Sequence, residues 1–267
     1  MALLTLSNIH KTFEKGTVNE NHVLRGLDLK IEQGDFISVI GGNGAGKSTL
    51  LNSIAGVVSI DEGDVLLEEK SIRKESVAQR SKDISRVFQD PRMGTASNLS
   101  IEENMAIAYL RGKKRSLFKK SVTEKDRMLF KTSLTDLGLG LENRLKTDAS
   151  FLSGGQRQAL TLAMATLVRP KILLLDEHTA ALDPKTSDMV MQLTKKIVEE
   201  QQLTTLMITH NMEHAIEFGN RLIMLFHGKI VVDVKAEEKK NLTVAELMEL
   251  FHKNSGQVLA EDALVLG

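Results

Sequence analysis

Short apolar runs alternate with helical patterns along most of the chain. Runs that are apolar throughout or that alternate strictly are typical of strands, and apolar residues at helical spacing lie between them. Strands separated by helices favour an α/β fold with a mainly parallel sheet. The predicted strands are 36–40, 84–88, 172–175 and 204–209, with 221–226 and 230–234 as a hairpin, and the predicted helices are 47–55, 101–110, 124–137, 154–168, 186–200 and 212–218.

Three stretches do not follow this order of strands and helices. In residues 27–31 (LDLKI), apolar and polar residues alternate cleanly, which predicts a small antiparallel sheet near the N-terminus. Residues from about 90 to 165 hold several helical stretches and no convincing strand, which predicts a helical subdomain inserted into the sheet core. The charged tail, 236–267, contains one predicted short helix that begins with a capping box of Thr243 and Glu246.

Composition excludes several classes of protein. The 267 residues allow one large domain or two small ones. Balanced charge, with 35 basic and 35 acidic residues, argues against nucleic acid as the main partner. The absence of cysteine excludes disulfides, thiolate metal sites and cysteine nucleophiles. No apolar stretch approaches the roughly 18 residues of a membrane span and no signal-peptide pattern is present, so we expect a soluble chain that is not exported.

The strongest basic run, 111–120, has two interpretations. It is either a solvated loop of the helical subdomain or a contact with anionic lipid headgroups beside a membrane partner.

A glycine-rich loop after the first predicted core strand matches the phosphate-loop pattern G-x-x-x-x-G-K-[ST]. Its glycines let backbone N–H groups point at phosphate oxygens, and the helix that follows offers its positive N-terminus. We expect Lys47 to neutralise the β- and γ-phosphates and Ser48 to ligate Mg²⁺. The predicted nucleotide-binding residues of this loop are Gly41, Gly42, Asn43, Gly44, Ala45, Gly46, Lys47, Ser48 and Thr49.

An acidic pair follows the apolar run at 172–175. Carboxylates at the end of a buried strand suit metal-assisted phosphoryl transfer. We expect Asp176 to hold Mg²⁺, through a water molecule, and Glu177 to act as the general base that polarises the attacking water.

Two more polar residues follow predicted core strands, Gln89 after 84–88 and His210 after 204–209. Ligands of open parallel sheets bind at the carboxyl ends of the strands. One site is therefore expected to collect the phosphate loop, Gln89, the acidic pair and His210.

A second glycine cluster, Leu152-Ser153-Gly154-Gly155-Gln156, precedes a long helical pattern, with Ser153 as the expected N-cap. It forms a second helix start that can bind an anion. Because the phosphate loop already serves the nucleotide within one subunit, this start is expected either to be a plain capped helix or to face a nucleotide bound to another copy.

These motifs, in this order, resemble those of an ABC-type ATPase subunit, and the resemblance covers roughly residues 1–235. It rests on the phosphate loop, Gln89, LSGGQ at 152–156, ILLLDE at 172–177, ALD at 181–183 and His210. The family implies a RecA-like P-loop core with a mainly parallel sheet, an N-terminal antiparallel β subdomain and an inserted helical subdomain. It also implies ATP and Mg²⁺ as cofactors.

The resemblance further implies a head-to-tail homodimer with two ATP molecules at its interface. Each ATP would contact Lys47 of one copy and the LSGGQ segment of the other. Gln89 would sense Mg²⁺ and water and couple to a membrane partner, and His210 would contact the γ-phosphate. The remaining implied roles fall to Phe13, stacked on adenine, to Ser153, Gly154, Gly155 and Gln156 at the partner's nucleotide, and to Asp183, which would link the two sites.

Departures from the family pattern remove no catalytic group. His178 stands where the family often has proline, and the helix after LSGGQ reads QRQALTLAMATLV. These two departures resemble the pattern of a bacterial importer subgroup associated with amino-acid-type uptake. The implied partners are transmembrane permease subunits and, indirectly, a solute-binding protein, at the cytoplasmic face of the cell membrane. The alternatives are the ATPase of an exporter and a non-transport ABC ATPase of DNA repair or the ribosome.

Overall fold

The computed structural model describes residues 2–113 and 122–255, and these divide into two compact units. Among the described residues, the first unit comprises 2–80 with 204–255, and the second comprises 81–113 with 122–203. The strands are β1 (Ala2–Phe13), β2 (Asn21–Glu32), β3 (Phe36–Ile40), β4 (Glu62–Leu67), β5 (Lys70–Ser71), β6 (Ile84–Val87), β7 (Ile172–Asp176), β8 (Thr204–Ile208), β9 (Arg221–Phe226) and β10 (Lys229–Lys235). The α-helices are α1 (Lys47–Ala55), α2 (Val77–Arg80), α3 (Ile101–Tyr109), α4 (Glu124–Thr135), α5 (Gly154–Leu167), α6 (Pro184–Gln201), α7 (Met212–Glu217), α8 (Ala236–Lys240) and α9 (Val244–Ser255).

An antiparallel sheet of order β2-β1-β4-β5 opens the first unit. In β2, Leu27, Leu29 and Ile31 are buried while the residues between them are exposed, so the predicted alternation holds. The strand extends to Asn21, well beyond the predicted 27–31, because its outer residues pair with β1. The N-terminal antiparallel sheet is therefore confirmed.

Parallel strands form the core of the first unit. β3 pairs in parallel with both β8 and β9, and β9 turns back into the antiparallel β10. All five residues of β3 and of β8 are buried, as expected for strands covered on both faces. The predicted hairpin and the predicted core strands agree with the structure to within one residue at each end.

The second unit holds the parallel pair β6 and β7, and helices lie between them in sequence. In the described residues from 90 to 165 there is no strand, only helices, 3₁₀ turns, loops and an isolated bridge between Ser100 and Asp148. Three capping boxes start α3, α4 and α5, formed by Ser100 with Glu103, Thr123 with Asp126, and Ser153 with Gln156. The predicted α/β class, mostly parallel with an antiparallel N-terminal sheet, is confirmed.

Arg111, the first residue of the basic run, is hydrogen-bonded inward and does not serve as a solvated or lipid-facing residue. Its guanidinium donates to Ser85 Oγ and to the carbonyls of Ala165, at 2.8 Å, and Val168. Burial lowers the pKa of Arg111, which serves as an internal clamp on the end of α5. Residues 114–120 of the run lie outside the described residues.

The tail forms two helices, α8 and α9, where one was predicted. The predicted cap is confirmed, since Thr243 Oγ1 accepts from the Glu246 amide at 3.2 Å and Glu246 closes the box. α9 buries Leu247 and Phe251 against apolar residues of β9 and β10. Within the described ranges, no helix has the length and apolar composition that a membrane span requires.

Lys239 of α8 is the buried anchor of the tail. Its ammonium donates to the carbonyls of Ile216, Phe218 and Gly219 at 2.9, 2.5 and 2.9 Å. These carbonyls lie at the end of α7, where a helix leaves acceptors without intrahelical donors. Burial lowers the pKa of Lys239 to about 8.

Lys239→Met should change the pH dependence of stability. Between the folded pKa of about 8 and the ordinary value of 10.5, the unfolded chain binds more protons than the folded chain. The unfolding free energy of the wild type should therefore rise across this window relative to that of the variant. Urea unfolding at about pH 7 and pH 10 measures it. Lys240→Met, at an exposed neighbour, is the control. A difference in unfolding free energy between wild type and Lys239→Met that does not vary with pH would contradict the lowered pKa of Lys239.

Candidate active site

The phosphate loop curls between β3 and α1 in the first unit. Gly41 has φ +149°, and a Cβ there would lie 2.3 Å from the carbonyl oxygen of Leu225. Gly46 has φ +103° and is the N-cap of α1, which receives no side-chain cap. A backbone-lined helix start of this kind suits a phosphate group.

Lys47 is folded back over its own loop. It is 6% exposed, and its ammonium donates to the carbonyls of Gly41 at 2.6 Å and Gly42 at 3.1 Å. The charge is thus held at the α1 N-terminus, where it adds to the positive end of the helix dipole. The loop fits a polyphosphate, with Ser48 in the first turn of the helix.

His210 leaves the neighbouring strand at the same edge. β8 runs parallel to β3 with Val39 opposite Ile208, and the Thr209 amide donates to the Val39 carbonyl at 3.2 Å. Asn211 then caps α7 by accepting from the His214 amide at 2.8 Å. The structure therefore places His210 and the phosphate loop at one edge of the first unit.

Phe13 ends β1 and is 37% exposed, so it is not a core residue. The Lys11 ammonium lies 5.3 Å from the ring centroid and also pairs with Asp61 at 3.1 Å. An exposed aromatic ring suits stacking on a flat base. The adenine contact itself stays a prediction.

In the second unit, Gln89 and the acidic pair leave parallel strands at one edge. β6 and β7 pair with Val87 opposite Leu175, and Gln89 and Asp176 follow at this end. Gln89 is exposed, and the carbonyl of the preceding Phe88 accepts from Gln158 Nε2 at 3.2 Å. Gln158 of α5 thereby fixes the start of the Gln89 loop.

Arg86 is a residue that the sequence reasoning missed. Its guanidinium pairs with the Asp176 carboxylate, and both side chains are 14% exposed. The guanidinium also lies 4.8 Å from the Phe88 ring. The available signal was a charged residue inside the predicted strand 84–88, which reads ISRVF.

Glu177 occupies a left-handed backbone conformation with φ +48°. Its carbonyl accepts from the Ala180 amide at 2.9 Å, which closes a tight turn after β7. A non-glycine residue in this region costs about 1–3 kcal/mol, and such strain clusters at functional sites. The chain therefore turns sharply at Glu177, directly after β7.

The second glycine cluster forms a capped helix start, as predicted. Ser153 Oγ accepts from the Gln156 amide at 3.2 Å. Gly155 is buried, and a Cβ there would lie 2.3 Å from Thr186 Cγ2 of α6. Asp183 caps α6 by accepting from the Thr186 amide at 3.1 Å, and these hydrogen bonds hold the pKa of Asp183 below its ordinary value. The starts of α5 and α6 therefore pack together.

Within the described ranges, no three His, Asp or Glu side chains converge as a ready-made metal site. Mg²⁺ is commonly held by one or two carboxylates together with substrate phosphates and waters. Ser48, Gln89 and Asp176 are hydroxyl, amide and carboxylate oxygen donors, which is the chemistry that Mg²⁺ prefers.

Arg86→Met should destabilise the protein by about 3 kcal/mol, because it leaves the Asp176 charge buried without its partner. The double variant with Asp176→Asn should lose less unfolding free energy than the two single variants lose together, since it buries no unpaired charge. Chemical denaturation of the four proteins measures the coupling. Strictly additive losses would show that the ion pair contributes nothing.

Comparison with known proteins gives consistent matches. The family description "ABC transporter" matches residues 24–180. The chain is 46% identical over 249 residues to a tyrosine transport ATP-binding protein of Clostridioides difficile, covering 93% of this chain and 98% of that protein. It is 34% identical over 267 residues to a phosphonates import ATP-binding protein of Lactobacillus johnsonii, covering 98% and 100%.

A solved structure matches equally well. It is a dimeric ATP-binding cassette in a post-hydrolysis state bound to ADP and Pi, with a TM-score of 0.74, 30% identity, and coverage of 87% of this chain and 98% of that chain. The expected fold and the expected class, an ABC-type ATP hydrolase, are both confirmed. The chain belongs to the ABC transporter family.

Proposed function

We propose that this chain is the ATP-binding subunit of a membrane importer and couples ATP binding and hydrolysis to the uptake of amino-acid-like solutes. The observation that carries the proposal is the acidic turn at Asp176 and Glu177. An ion-paired carboxylate and a strained neighbouring carboxylate at the end of a buried strand are suited to phosphoryl transfer.

The geometry within each unit supports the proposed nucleotide roles. Lys47 and the α1 N-terminus bind the phosphates, and Phe13 stacks on the adenine. Ser48, Gln89 and Asp176 supply oxygen donors that would hold Mg²⁺, which would neutralise phosphate charge. Glu177 accepts the proton of the attacking water, and His210 donates a hydrogen bond to the γ-phosphate.

A second copy of the chain completes the site. The α5 start consists of Ser153, Gly154, Gly155 and Gln156, and its exposed residues Ser153 and Gly154 present an uncharged helix N-terminus that suits a phosphate. A single nucleotide needs one phosphate loop, so this second start serves the ATP of the other copy. The dimeric cassette among the solved structures supports this arrangement.

The membrane partner is a separate permease at the cytoplasmic face of the cell membrane. Exposed apolar side chains in the second unit offer it a surface, and Met93 lies only four residues after Gln89. Phe151, next to the second glycine cluster, is 74% exposed. Large exposed apolar side chains of this kind suit a partner interface.

The solute class rests on the relatives. The tyrosine transport protein is more similar to this chain than the phosphonate importer, at 46% against 34% identity. An amino-acid-type solute is therefore the better proposal. A separate solute-binding protein would deliver it to the permease, since the site described here serves a nucleotide.

Lys47→Ala should abolish tight ATP binding and ATP turnover. The substitution removes a charge that faces polyphosphate in a partly dehydrated site, where a charge-assisted hydrogen bond is worth about 1.5–3 kcal/mol. Phosphate release by the purified chain measures the turnover. Lys229→Ala, at an exposed lysine of the same unit, is the control, and wild-type turnover by Lys47→Ala would refute the proposal.

Phe13→Ala should raise KM for ATP by about two- to ten-fold and leave kcat nearly unchanged. It removes stacking worth about 0.5–1.5 kcal/mol without touching the reacting phosphate. Steady-state kinetics separates the two parameters. A collapse of kcat at constant KM would instead indicate a structural role for the ring.

A further inference from the structure

The residue after Glu177 is a buried histidine. His178 is 2% exposed, and its Nε2 lies 3.0 Å from Oγ1 of Thr194, a residue of α6 with no exposed surface. Burying a polar ring is costly unless it is hydrogen-bonded. The contact with Thr194 satisfies the Nε2 atom of this buried ring.

The direction of the hydrogen bond follows from the available protons. Thr194 Oγ1 donates its single hydrogen to the Val190 carbonyl at 2.8 Å. The hydroxyl oxygen therefore accepts from His178, and the ring carries its proton on Nε2. A donor and an acceptor are both satisfied, so the contact fixes the ring on α6.

This contact adjoins the strained turn of Glu177. A left-handed glutamate persists only where the surrounding structure holds it, because relaxation would release the strain. On one side the turn continues β7, which is fixed by parallel pairing with β6. On the other side the next residue is His178, whose side chain is hydrogen-bonded to Thr194 of α6.

We propose that His178, locked by Thr194, is the positioning residue that holds the Glu177 carboxylate at its working angle. The inference rests on the proposed function, in which Glu177 is the general base. His178 touches no reacting atom in this scheme and acts through Glu177. Releasing the ring would let the turn relax, and the base would lose its alignment with the attacking water.

Thr194→Val tests this most cleanly, because it keeps the shape of the side chain and removes the acceptor. We expect kcat for ATP hydrolysis to fall about five-fold, with KM for ATP within about two-fold of wild type. Thr194→Ser keeps the hydroxyl and should restore most of kcat. His178→Ala combined with Thr194→Val should be no worse than His178→Ala alone.

Thr166→Val is the matched control. Thr166 is also a buried threonine in a helix of the second unit, and its hydroxyl donates to the Leu162 carbonyl at 2.9 Å. This variant should leave kcat unchanged. An equal loss of kcat in Thr166→Val would show that general softening of the helices causes the effect, and it would overturn the proposal.

The Glu177→Gln background distinguishes positioning from structural damage. If Thr194 acts through the base, Thr194→Val should change the residual hydrolysis of Glu177→Gln by less than about two-fold. A further loss there, or equal losses in Thr194→Val and Thr194→Ser, would overturn the proposal. Wild-type turnover by Glu177→Gln would refute the assigned base, whereas an inactive Glu177→Gln with an unaffected Thr194→Val would refute only the positioning role.

Discussion

Parallel pairing of buried strands is the constraint on which the rest of the structure depends. Two parallel neighbours must release the chain at the same edge, so whatever follows them in sequence is placed side by side. β3 with β8 does this for the phosphate loop and His210, and β6 with β7 does it for Gln89 and the acidic turn. β3 and β8 are buried along their whole length, as expected for parallel strands covered on both faces.

Burying polar groups at the strand ends costs free energy, and hydrogen bonds and ion pairs offset that cost. Arg86 balances Asp176, and the Thr194 hydroxyl fixes the histidine that follows Glu177. The same rule governs the helix starts, where side chains of Ser153 and Asp183 satisfy backbone N–H groups. α1 differs because its N-cap is a glycine, and a helix start without a side-chain cap is suited to take its acceptor from a bound phosphate.

Periodicity predicted the core strands and most helix bounds because local pattern and burial agree there. It missed β1, β4, β5, α2 and α8. Only the pairing of β1 with β4 joins segments far apart in sequence, since β1 also pairs with β2 and β4 with β5. Motif spacing located the candidate site residues but not Arg86 or Thr194, since a single side chain in a strand or helix interior carries no motif. Arg111 shows the same limit, because a basic run gives no sign that one member turns inward. Side-chain partners across elements are fixed by tertiary packing, which a single sequence does not display.

The central proposal is that Lys47 and the α1 start bind the phosphates of one ATP, and that the α5 start of a second copy contacts the same ATP. A crystal structure of Glu177→Gln with ATP and Mg²⁺ tests it most directly, because this variant keeps the shape of the site and removes the base. The account predicts a dimer in which Lys47 Nζ lies about 2.7–3.2 Å from a β- or γ-phosphate oxygen. The amide that replaces the Glu177 carboxylate would face the γ-phosphate, and Ser153 of the partner subunit would contact that phosphate. A nucleotide bound away from Lys47, or one held by a single copy without the partner's helix start, would contradict the account.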